Sequence, residues 1–292
     1  HSSFVIRPEP MPPAVNYLAI GHVAKDLTPH GARLGGTAAY AALTAQALGY
    51  HPGLVTACGD DLDLGPVKGL SVARQPSSTS TTFENIYGPG GRIQFLRARA
   101  APLNGNSVPG NWNSARIVHL APLAGEIDAS LAASFAGAFV GLTPQGWLRE
   151  WDSAGRVSRA DWAQALETLP HAAAVVTSIE DIGGDWAVAE QWAGAARVLV
   201  VTEGARGCTV FVRGGAPRQF PAPPAAVVDQ TGAGDILAAV FLIHLLETGD
   251  PWSAARFANQ LGALSVTRVG LEGVPTEEEV AECRDNVAHG GE

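Results

Sequence analysis

A glycine-rich turn that ends in an aspartate is the part of this 292-residue chain whose residue types and spacing best suit chemistry. Residues 229–235 read DQTGAGD and lie between a short apolar run and a long apolar stretch typical of a buried helix. The first turn of a helix leaves backbone N–H groups unpaired, its dipole favours negative charge, and glycine lets a ligand approach closely. We therefore predict that Gly232, Ala233 and Gly234 form an anion hole for phosphoryl oxygens.

The aspartate that closes this turn, Asp235, stands where a carboxylate can take the proton from a hydroxyl group. A base and an anion hole that face the same phosphorus atom are what phosphoryl transfer to a hydroxyl requires. A plainer interpretation stays open, in which the turn is structural and Asp235 only caps the helix. A dinucleotide-binding fingerprint fits less well, because it needs a third glycine where this chain has Leu237.

Composition and motifs argue against several other classes of protein. The formal net charge of −9 disfavours general nucleic-acid binding, which needs a basic face. The chain has two lysines, Lys25 and Lys68, neither of which lies in a Walker-type P-loop, and no HExxH or GxSxG motif occurs. The longest apolar run, around residues 236–246, is too short to cross a bilayer, so we expect no membrane partner.

The cysteines and the first residues carry weaker signals. Cys58, Cys208 and Cys283 are far apart and form no CxxC pair, which argues against a disulfide framework or a zinc knuckle. A reducing, cytoplasmic setting is therefore expected. Residues 1–14 are Pro-rich and are predicted to be a disordered lead-in, with no visible signal peptide, before a single domain over residues 15–292.

Strand and helix patterns predict the framework that must hold the turn. From residue 116 onward short apolar strands alternate with helices, which is typical of a parallel sheet covered by helices on both faces. Alternating polarity around the GPGG at residues 88–91 predicts a hairpin with strands at 81–87 and 92–98, whereas residues 58–80 are interpreted as mainly loop. We predict further strands at 15–20, 53–57, 117–120, 138–142, 173–177, 198–202, 208–212 and 219–221, and helices at 36–48, 127–136, 161–169, 186–195, 235–246, 252–267 and 276–285.

These segments together resemble the PfkB/ribokinase family of sugar and nucleoside kinases, whose C-terminal signature is DTxGAGD. Other matches occur in the order of the family: a Gly-Gly pair that opens an Ala-rich helix at residues 35–39, CGDD at 58–61, VTEGARG at 201–207, and a later helix over 258–270. The resemblance covers nearly the whole chain from about Asn16. It implies a ribokinase-like three-layer α/β/α sandwich with a small β lid near 81–98, and ATP-dependent phosphorylation of a sugar, polyol or nucleoside hydroxyl.

The same resemblance assigns roles to individual residues. Asp235 would be the base, with the anion hole at Gly232–Gly234, and Asp26 would hold acceptor hydroxyls, for which carboxylates are suited. For Asp26 the plainer alternative is a solvated loop acid, and for the glycines of the nucleotide loop the plainer alternative, a simple turn before an edge strand, carries more weight. The acceptor side would also include Gly35, Gly36, Tyr40 and Arg149, and the nucleotide side Thr202, Gly204, Gly207 and Asn259.

Several positions depart from the family pattern. Tyr40 stands where the family frequently has Asn, which predicts an acceptor other than ribose, with an apolar face on which the ring can stack. The metal-associated NxxE of the family reads SIED at residues 178–181, so Glu180 and Asp181 are predicted to hold hydrated magnesium through water. Arg149 follows a predicted strand end, where it either binds a phosphate or pairs locally.

The resemblance also implies a possible monovalent cation such as K⁺ near Asp229, Thr231 and Gly270, and a possible homodimer formed through the lid. Two other interpretations stay open. A non-catalytic ligand sensor with this fold is disfavoured by the intact Asp235 and glycine turn, because a sensor needs no base. A nicotinamide dehydrogenase is disfavoured by the missing third glycine.

Overall fold

The computed structural model describes residues 14–29, 31–88 and 91–289. The predicted lead-in lies outside the described residues except for Ala14, as do residues 89 and 90 at the tip of the predicted hairpin. The strands are β1 Tyr17–Ile20, β2 Ala24–Thr28, β3 Gly31–Gly35, β4 Pro52–Cys58, β5 Ser71–Pro76, β6 Thr81–Gly88, β7 Gly91–Ala98, β8 Ile117–Leu120, β9 Phe139–Leu142, β10 Arg149–Trp151, β11 Val157–Arg159, β12 Ala174–Ser178, β13 Val198–Thr202, β14 Cys208–Val212 and β15 Arg218–Phe220; the α-helices are α1 Thr37–Ala47, α2 Ala165–Thr168, α3 Trp186–Ala195, α4 Ala233–Thr248, α5 Pro251–Ser265 and α6 Glu277–His289.

A nine-stranded sheet forms the centre of the molecule, in the order β15-β14-β13-β12-β9-β8-β1-β4-β5. The strands from β13 to β5 pair in parallel, and β14 and β15 add antiparallel strands at one edge. Strands β1, β4 and β8 are buried at every position, as expected when both faces of a parallel sheet are covered.

Helices cover the two faces of the sheet and create two apolar cores. One core packs α1, α4 and α5 against the sheet, and α4 is buried continuously from Ile236 to Leu245 because it is apolar on all sides. The other core contains α3 and the segments around Trp162 and Leu169. The predicted three-layer α/β/α fold is therefore confirmed. No helix of the described residues has the length and apolar character needed to span a membrane.

A separate four-stranded sheet in the order β3-β2-β6-β7 forms the lid. The predicted hairpin is present as β6 and β7, but β2 and β3 also belong to this sheet and were missed, because they are short and half-exposed. Phe83 and Leu96 on one face of the lid pack against Leu123 and Ala124 in the loop after β8. This contact fixes the face of the lid that is turned toward the main sheet.

Two predicted α-helices are corrected by the structure. Within the segment 127–136 the structure has a 3₁₀-helix, Ala129–Phe135. Its buried residues are Ala129, Leu131, Ala132 and Phe135, of which three follow the repeat of three that suits a 3₁₀-helix. In the segment 161–169 the α-helix is limited to Ala165–Thr168. Before it, the ring of Trp162 stacks on that of Trp147 with 4.7 Å between the ring centroids. After it, Pro170 lies in a 3₁₀ turn.

The interpretation of residues 58–80 as mainly loop is also wrong in part. Ser71–Pro76 is the edge strand β5 of the main sheet, and it pairs in parallel with β4. Its residues are exposed or half-exposed, and Arg74 interrupts the apolar pattern, which is why periodicity did not reveal it. The hairpin of β10 and β11 was missed for a similar reason, because each strand has only 3 residues.

Candidate active site

The glycine turn lies at the amino end of α4, where the sequence predicts it. Gly232 precedes the helix with a φ of 83°, a left-handed conformation that glycine adopts without strain. Asp229 shapes the turn: its Oδ1 accepts a hydrogen bond from the Thr231 amide at 2.9 Å, and its Oδ2 accepts one from the Gly270 amide at 3.0 Å. Burial would raise the pKa of Asp229, but these hydrogen bonds and the charge of Arg33 lower it overall. The turn is thus held by an ionised carboxylate.

Asp235 lies in the first turn of α4 with its carboxyl group in a desolvated position. Burial raises its pKa to about 7, opposed by the Thr37 hydroxyl and the charge of Arg149, and assisted by the charges of Asp181 and Asp26. A carboxyl that titrates near neutral pH is suited to general base catalysis at that pH. These neighbours come from four other parts of the chain: the lid, the start of α1, strand β10 and the segment after β12.

Two consecutive glycines let the lid carboxylate approach the start of α1. A Cβ at Gly35 would collide with Oδ2 of Asp26, and a Cβ at Gly36 would lie 2.6 Å from the His22 carbonyl oxygen. Gly36 also has a φ of 97°, a backbone conformation that residues other than glycine rarely adopt. The Gly-Gly pair is therefore required for the position of Asp26 and of Thr37, the first residue of α1.

Tyr40 forms the wall behind the glycine turn. It is 1% exposed, and a Cβ at Gly232 would collide with its ring. Its hydroxyl oxygen is 3.8 Å from the position of a Cβ at Gly270. Burial, followed by the charges of Asp235, Asp26 and Asp229, raises the pKa of Tyr40 far above its ordinary value, so the phenol stays protonated. The predicted acceptor contact of Tyr40 remains a prediction, since the ring packs mainly against the turn.

Arg149 reaches the site from β10 on the opposite side. Its Nη1 donates to the Leu123 carbonyl at 3.3 Å, and its guanidinium lies 5.5 Å from the centre of the Phe83 ring on the lid. It is also close enough to Asp235 to lower the pKa of that carboxyl. Arg149 thus combines local hydrogen bonding with a position beside the site. Both interpretations made from the sequence, phosphate binding and local pairing, remain open.

The predicted magnesium residues lie after β12. Glu180 is exposed, and Asp181 accepts a hydrogen bond from Gln145 at 3.3 Å. Within the described part of the chain no three His, Cys, Asp or Glu side chains cluster closely enough to hold a metal ion by themselves. The carboxylates of Glu180 and Asp181 still fit magnesium, since Asp181 is close enough to influence Asp235. Magnesium keeps several waters and binds through one or two carboxylates and substrate phosphates.

The predicted nucleotide residues lie near the carboxyl end of β13. Gly204 and Gly207 have φ values of 60° and 91°, and a Cβ at Gly207 would collide with the Phe220 carbonyl. Asn259 is 2% exposed and donates its amide to that same carbonyl at 2.9 Å. Any influence of Asn259 on a nucleotide would therefore pass through the backbone at Phe220. Thr202 ends β13 and is half-buried.

Three residues near the site were missed from the sequence: Arg33, Thr37 and Gln145. Thr37 directly follows the Gly-Gly pair, so its place at the start of α1 was available as a signal. The positions of Arg33 and Gln145 depend on strand pairing and on contacts between distant segments, which no local pattern reports.

The chain is similar to kinases of small molecules. Residues 159–278 match the family model described as pfkB family carbohydrate kinase. The bifunctional protein HldE of Caulobacter sp. (strain K31) is 29% identical over 284 residues, which are 87% of this chain and 55% of that protein. The cytidine kinase of Thermococcus kodakarensis is 27% identical over 247 residues, which are 78% of this chain and 87% of that protein. The chain thus spans only about half of the HldE protein.

Solved structures show the same fold. A pyrophosphate-dependent kinase of the ribokinase family in complex with sulfate superimposes with a TM-score of 0.76 at 22% identity, covering 91% of this chain and 99% of the other. The Burkholderia thailandensis nucleoside kinase in complex with inosine gives a TM-score of 0.72 at 21% identity, covering 94% of this chain and 98% of the other. At these identities the likeness establishes the fold alone.

Proposed function

Because the chain belongs to the PfkB/ribokinase family, we propose that it is an ATP-dependent kinase of a sugar, polyol or nucleoside hydroxyl. One observation carries this proposal more than any other. Asp235, whose pKa is raised to about 7, adjoins the glycine turn at the start of α4 and faces Asp26 of the lid. A candidate base, the amides at the start of α4 and a lid carboxylate that influences the base thus belong to one site, as phosphoryl transfer requires.

In the proposed reaction Asp235 takes the proton of the acceptor hydroxyl as its oxygen forms a bond to the γ-phosphorus. The bond from that phosphorus to the ADP oxygen breaks, and ADP leaves with the bonding electrons. Amides of the Gly232–Gly234 turn stabilise the phosphoryl oxygens during transfer, and the Ala233 amide, which donates to the Gln230 carbonyl at 3.3 Å, would exchange that bond for one to a phosphoryl oxygen. Asp26 accepts hydrogen bonds from acceptor hydroxyls and so orients the attacking oxygen.

Magnesium belongs to the proposal as the ion that neutralises the phosphate charge when nucleotide is bound. Glu180 and Asp181 would hold it through water. A monovalent cation such as K⁺ near Asp229, Thr231 and Gly270 is a further part of the proposal. Both oxygens of Asp229 already accept backbone amides there, so carbonyl oxygens of the same segment would have to supply most of the ligands.

We further propose one kinase domain over residues 15–292 and a homodimer formed through the lid. In support, Ile86 and Ile93 face each other across β6 and β7 and are 46% and 40% exposed. In the proposed dimer this apolar pair would form part of the contact surface. Light scattering of the parent and of an Ile86→Glu variant tests this, and a monomeric parent would remove the idea.

The test is a product-release screen. Purified protein is incubated with ribose-like sugars, other sugars, inositol-like polyols and nucleosides, each with ATP and magnesium and each with pyrophosphate as donor. The pyrophosphate arm is included because a structural neighbour is described as a pyrophosphate-dependent kinase, and because Asn259 is engaged within the protein rather than free for a nucleobase. We expect ADP release with an acceptor other than ribose, since the large ring of Tyr40 stands where the family frequently has Asn.

The outcomes separate the alternatives. No transfer from either donor, together with measurable binding of an acceptor, would replace the kinase proposal with a non-catalytic member of this fold. Transfer from pyrophosphate alone would keep the kinase and correct its donor. Ribose as the acceptor with the highest specificity constant would contradict the inference drawn from Tyr40.

A further inference from the structure

An arginine of the lid, Arg33, lies on the same face of its sheet as Asp26. In the antiparallel pairing of β2 with β3, Asp26 is directly opposite Arg33. Side chains of directly opposite residues project from the same face, with Cβ atoms about 4.5–5.5 Å apart. The carboxylate of Asp26 is turned toward Gly35 and influences Asp235, so this face is the one directed at the site. Arg33 therefore projects toward the site as well.

Neighbouring segments place Arg33 at the glycine-turn end of the site. Strand β3 packs against the short helix Gly270–Gly273, whose first amide donates to Asp229. The charge of Arg33 lowers the pKa of Asp229 and of Tyr40, although burial is the largest influence on both groups. Asp229 shapes the turn and Tyr40 packs against Gly232, so the charge of Arg33 acts on the glycine-turn end of the site.

Lys25 and Arg97 of the lid form ion pairs, and Arg149 lies beside Asp235 at the site. Lys25 pairs with Asp61 at 3.2 Å, Arg97 pairs with Glu84, and Arg149 bonds to the Leu123 carbonyl beyond Phe83. Within the described residues Arg33 is exposed and is found in no ion pair. An exposed guanidinium beside a set of helix-start amides is a suitable second partner for phosphate oxygens, because its planar fork matches them bidentately.

We propose that Arg33 contacts the phosphoryl group during its transfer and is thus a catalytic residue supplied by the lid. This inference rests on the proposed kinase function and assigns a new residue to the same site. The phosphoryl group would lie between the amides of the turn and the guanidinium of the lid. The oxygen–phosphorus bond to the acceptor forms, the bond to the donor breaks, and the acceptor proton moves to Asp235. Arg33 keeps its proton throughout and offsets the developing negative charge.

The experiment compares Arg33→Ala, Arg33→Gln and Arg33→Lys with the control Arg97→Ala. Arg97 follows Leu96, which packs on the inner face of the lid, so Arg97 lies on the opposite face of the same sheet. Two quantities are measured: steady-state kcat and KM with the best acceptor and donor, and the affinity for inorganic pyrophosphate by calorimetry. The second measurement needs no turnover, so it tests whether Arg33 binds phosphate oxygens separately from whether the protein is a kinase.

We expect Arg33→Ala and Arg33→Gln to lower kcat by about 10²–10³-fold, as for loss of one preorganised donor to the reacting group. The acceptor KM should change less than about 3-fold, and pyrophosphate affinity should fall on the order of 10-fold or more. Arg33→Lys should recover part of kcat, since it keeps the charge without the fork. Added guanidinium chloride at millimolar concentration should raise the rate of Arg33→Ala but not that of Arg97→Ala.

Several outcomes would overturn the proposal. An unchanged kcat and pyrophosphate affinity in Arg33→Gln, with an unchanged melting temperature, would show that the arginine is only a surface cation. A raised acceptor KM at constant kcat would move Arg33 to the acceptor. Equal losses of kcat and pyrophosphate affinity in Arg97→Ala would indicate a general effect of the positive charge of the lid. If Arg33→Ala does not fold, Arg33→Gln and Arg33→Lys decide by the same criteria.

Discussion

The pKa of Asp235 offers a sharp test of the proposed site, through the substitution Thr37→Val. The Thr37 hydroxyl is buried and is one of the groups that hold this pKa down against the effect of burial. Valine keeps the shape of the side chain and removes only the hydroxyl. With the hydroxyl gone, the pKa of Asp235 should rise above its value of about 7, and less of the base is ionised at neutral pH.

The size of the shift follows from the strength of the lost interaction. A hydrogen bond to a charged group contributes about 1.5–3 kcal/mol, and about 1.4 kcal/mol corresponds to one pKa unit. The Thr37 hydroxyl has no hydrogen-bond partner among the described residues, so its effect on Asp235 is weaker than that of a full hydrogen bond and the shift should be no more than about one unit. Below the pKa, kcat/KM should then fall by up to about 10-fold, while the plateau at high pH should change little.

The assay is kcat/KM for the best acceptor between pH 5 and pH 9, roughly the range around the expected pKa. Parent activity should rise with pH as Asp235 loses its proton, with a midpoint near 7. Thr44→Val is the matched control, because Thr44 is also a buried threonine of α1 whose hydroxyl has no hydrogen-bond partner among the described residues. An unshifted midpoint in Thr37→Val, or an equal shift in Thr44→Val, would refute the assignment of this pKa to Asp235 and Thr37.

Four further predictions concern the same site. Asp235→Asn should lower kcat by about 10²–10⁴-fold with ATP affinity retained; a rate within a few-fold of the parent would leave Asp235 as a helix cap. The same variant should gain stability over the parent at pH 8, and this gain should be smaller at pH 4. The reason is that the raised pKa makes ionisation of Asp235 unfavourable in the folded protein, so the parent loses stability as the pH rises from the unfolded pKa to about 7. A melting temperature difference that does not depend on pH contradicts this. Asp26→Ala should raise the acceptor KM on the order of 10-fold or more without changing nucleotide affinity, and a normal KM would show a solvated lid acid. Turnover with ATP should stop in excess chelator and return with magnesium, and undiminished turnover in chelator would remove the metal from the proposal.

Much of the central fold could be predicted because its signals are local. Buried strands such as β1 and β8 are continuous apolar runs, and the DQTGAGD segment sets both the start of α4 and the conformation of the turn before it. The apolar length of α4 also identifies it as a buried helix. These features follow from residues that are adjacent in the chain.

The remainder of the site depends on contacts between distant segments. The bond from the Gly270 amide to Asp229 joins residues 41 positions apart, and Arg33 faces the site only because β2 and β3 pair in one particular register. A shift of that register by one residue would place Asp26 and Arg33 on opposite faces of the sheet. No pattern within β2 or β3 alone specifies the pairing, so Arg33 could not be placed from the sequence.

The path of the chain from the lid into the main domain has a mechanical consequence. Strand β3 ends at Gly35 and α1 begins at Thr37, so Gly36 alone separates a lid strand from a helix of the core. Any rotation of the lid about this point moves Arg33 and Asp26 as one body, while Thr37 at the pivot stays beside the base. In the proposed reaction the approach of Arg33 to the phosphoryl group and the orientation of the acceptor by Asp26 would then occur together, and substitution of Gly36 would disturb both.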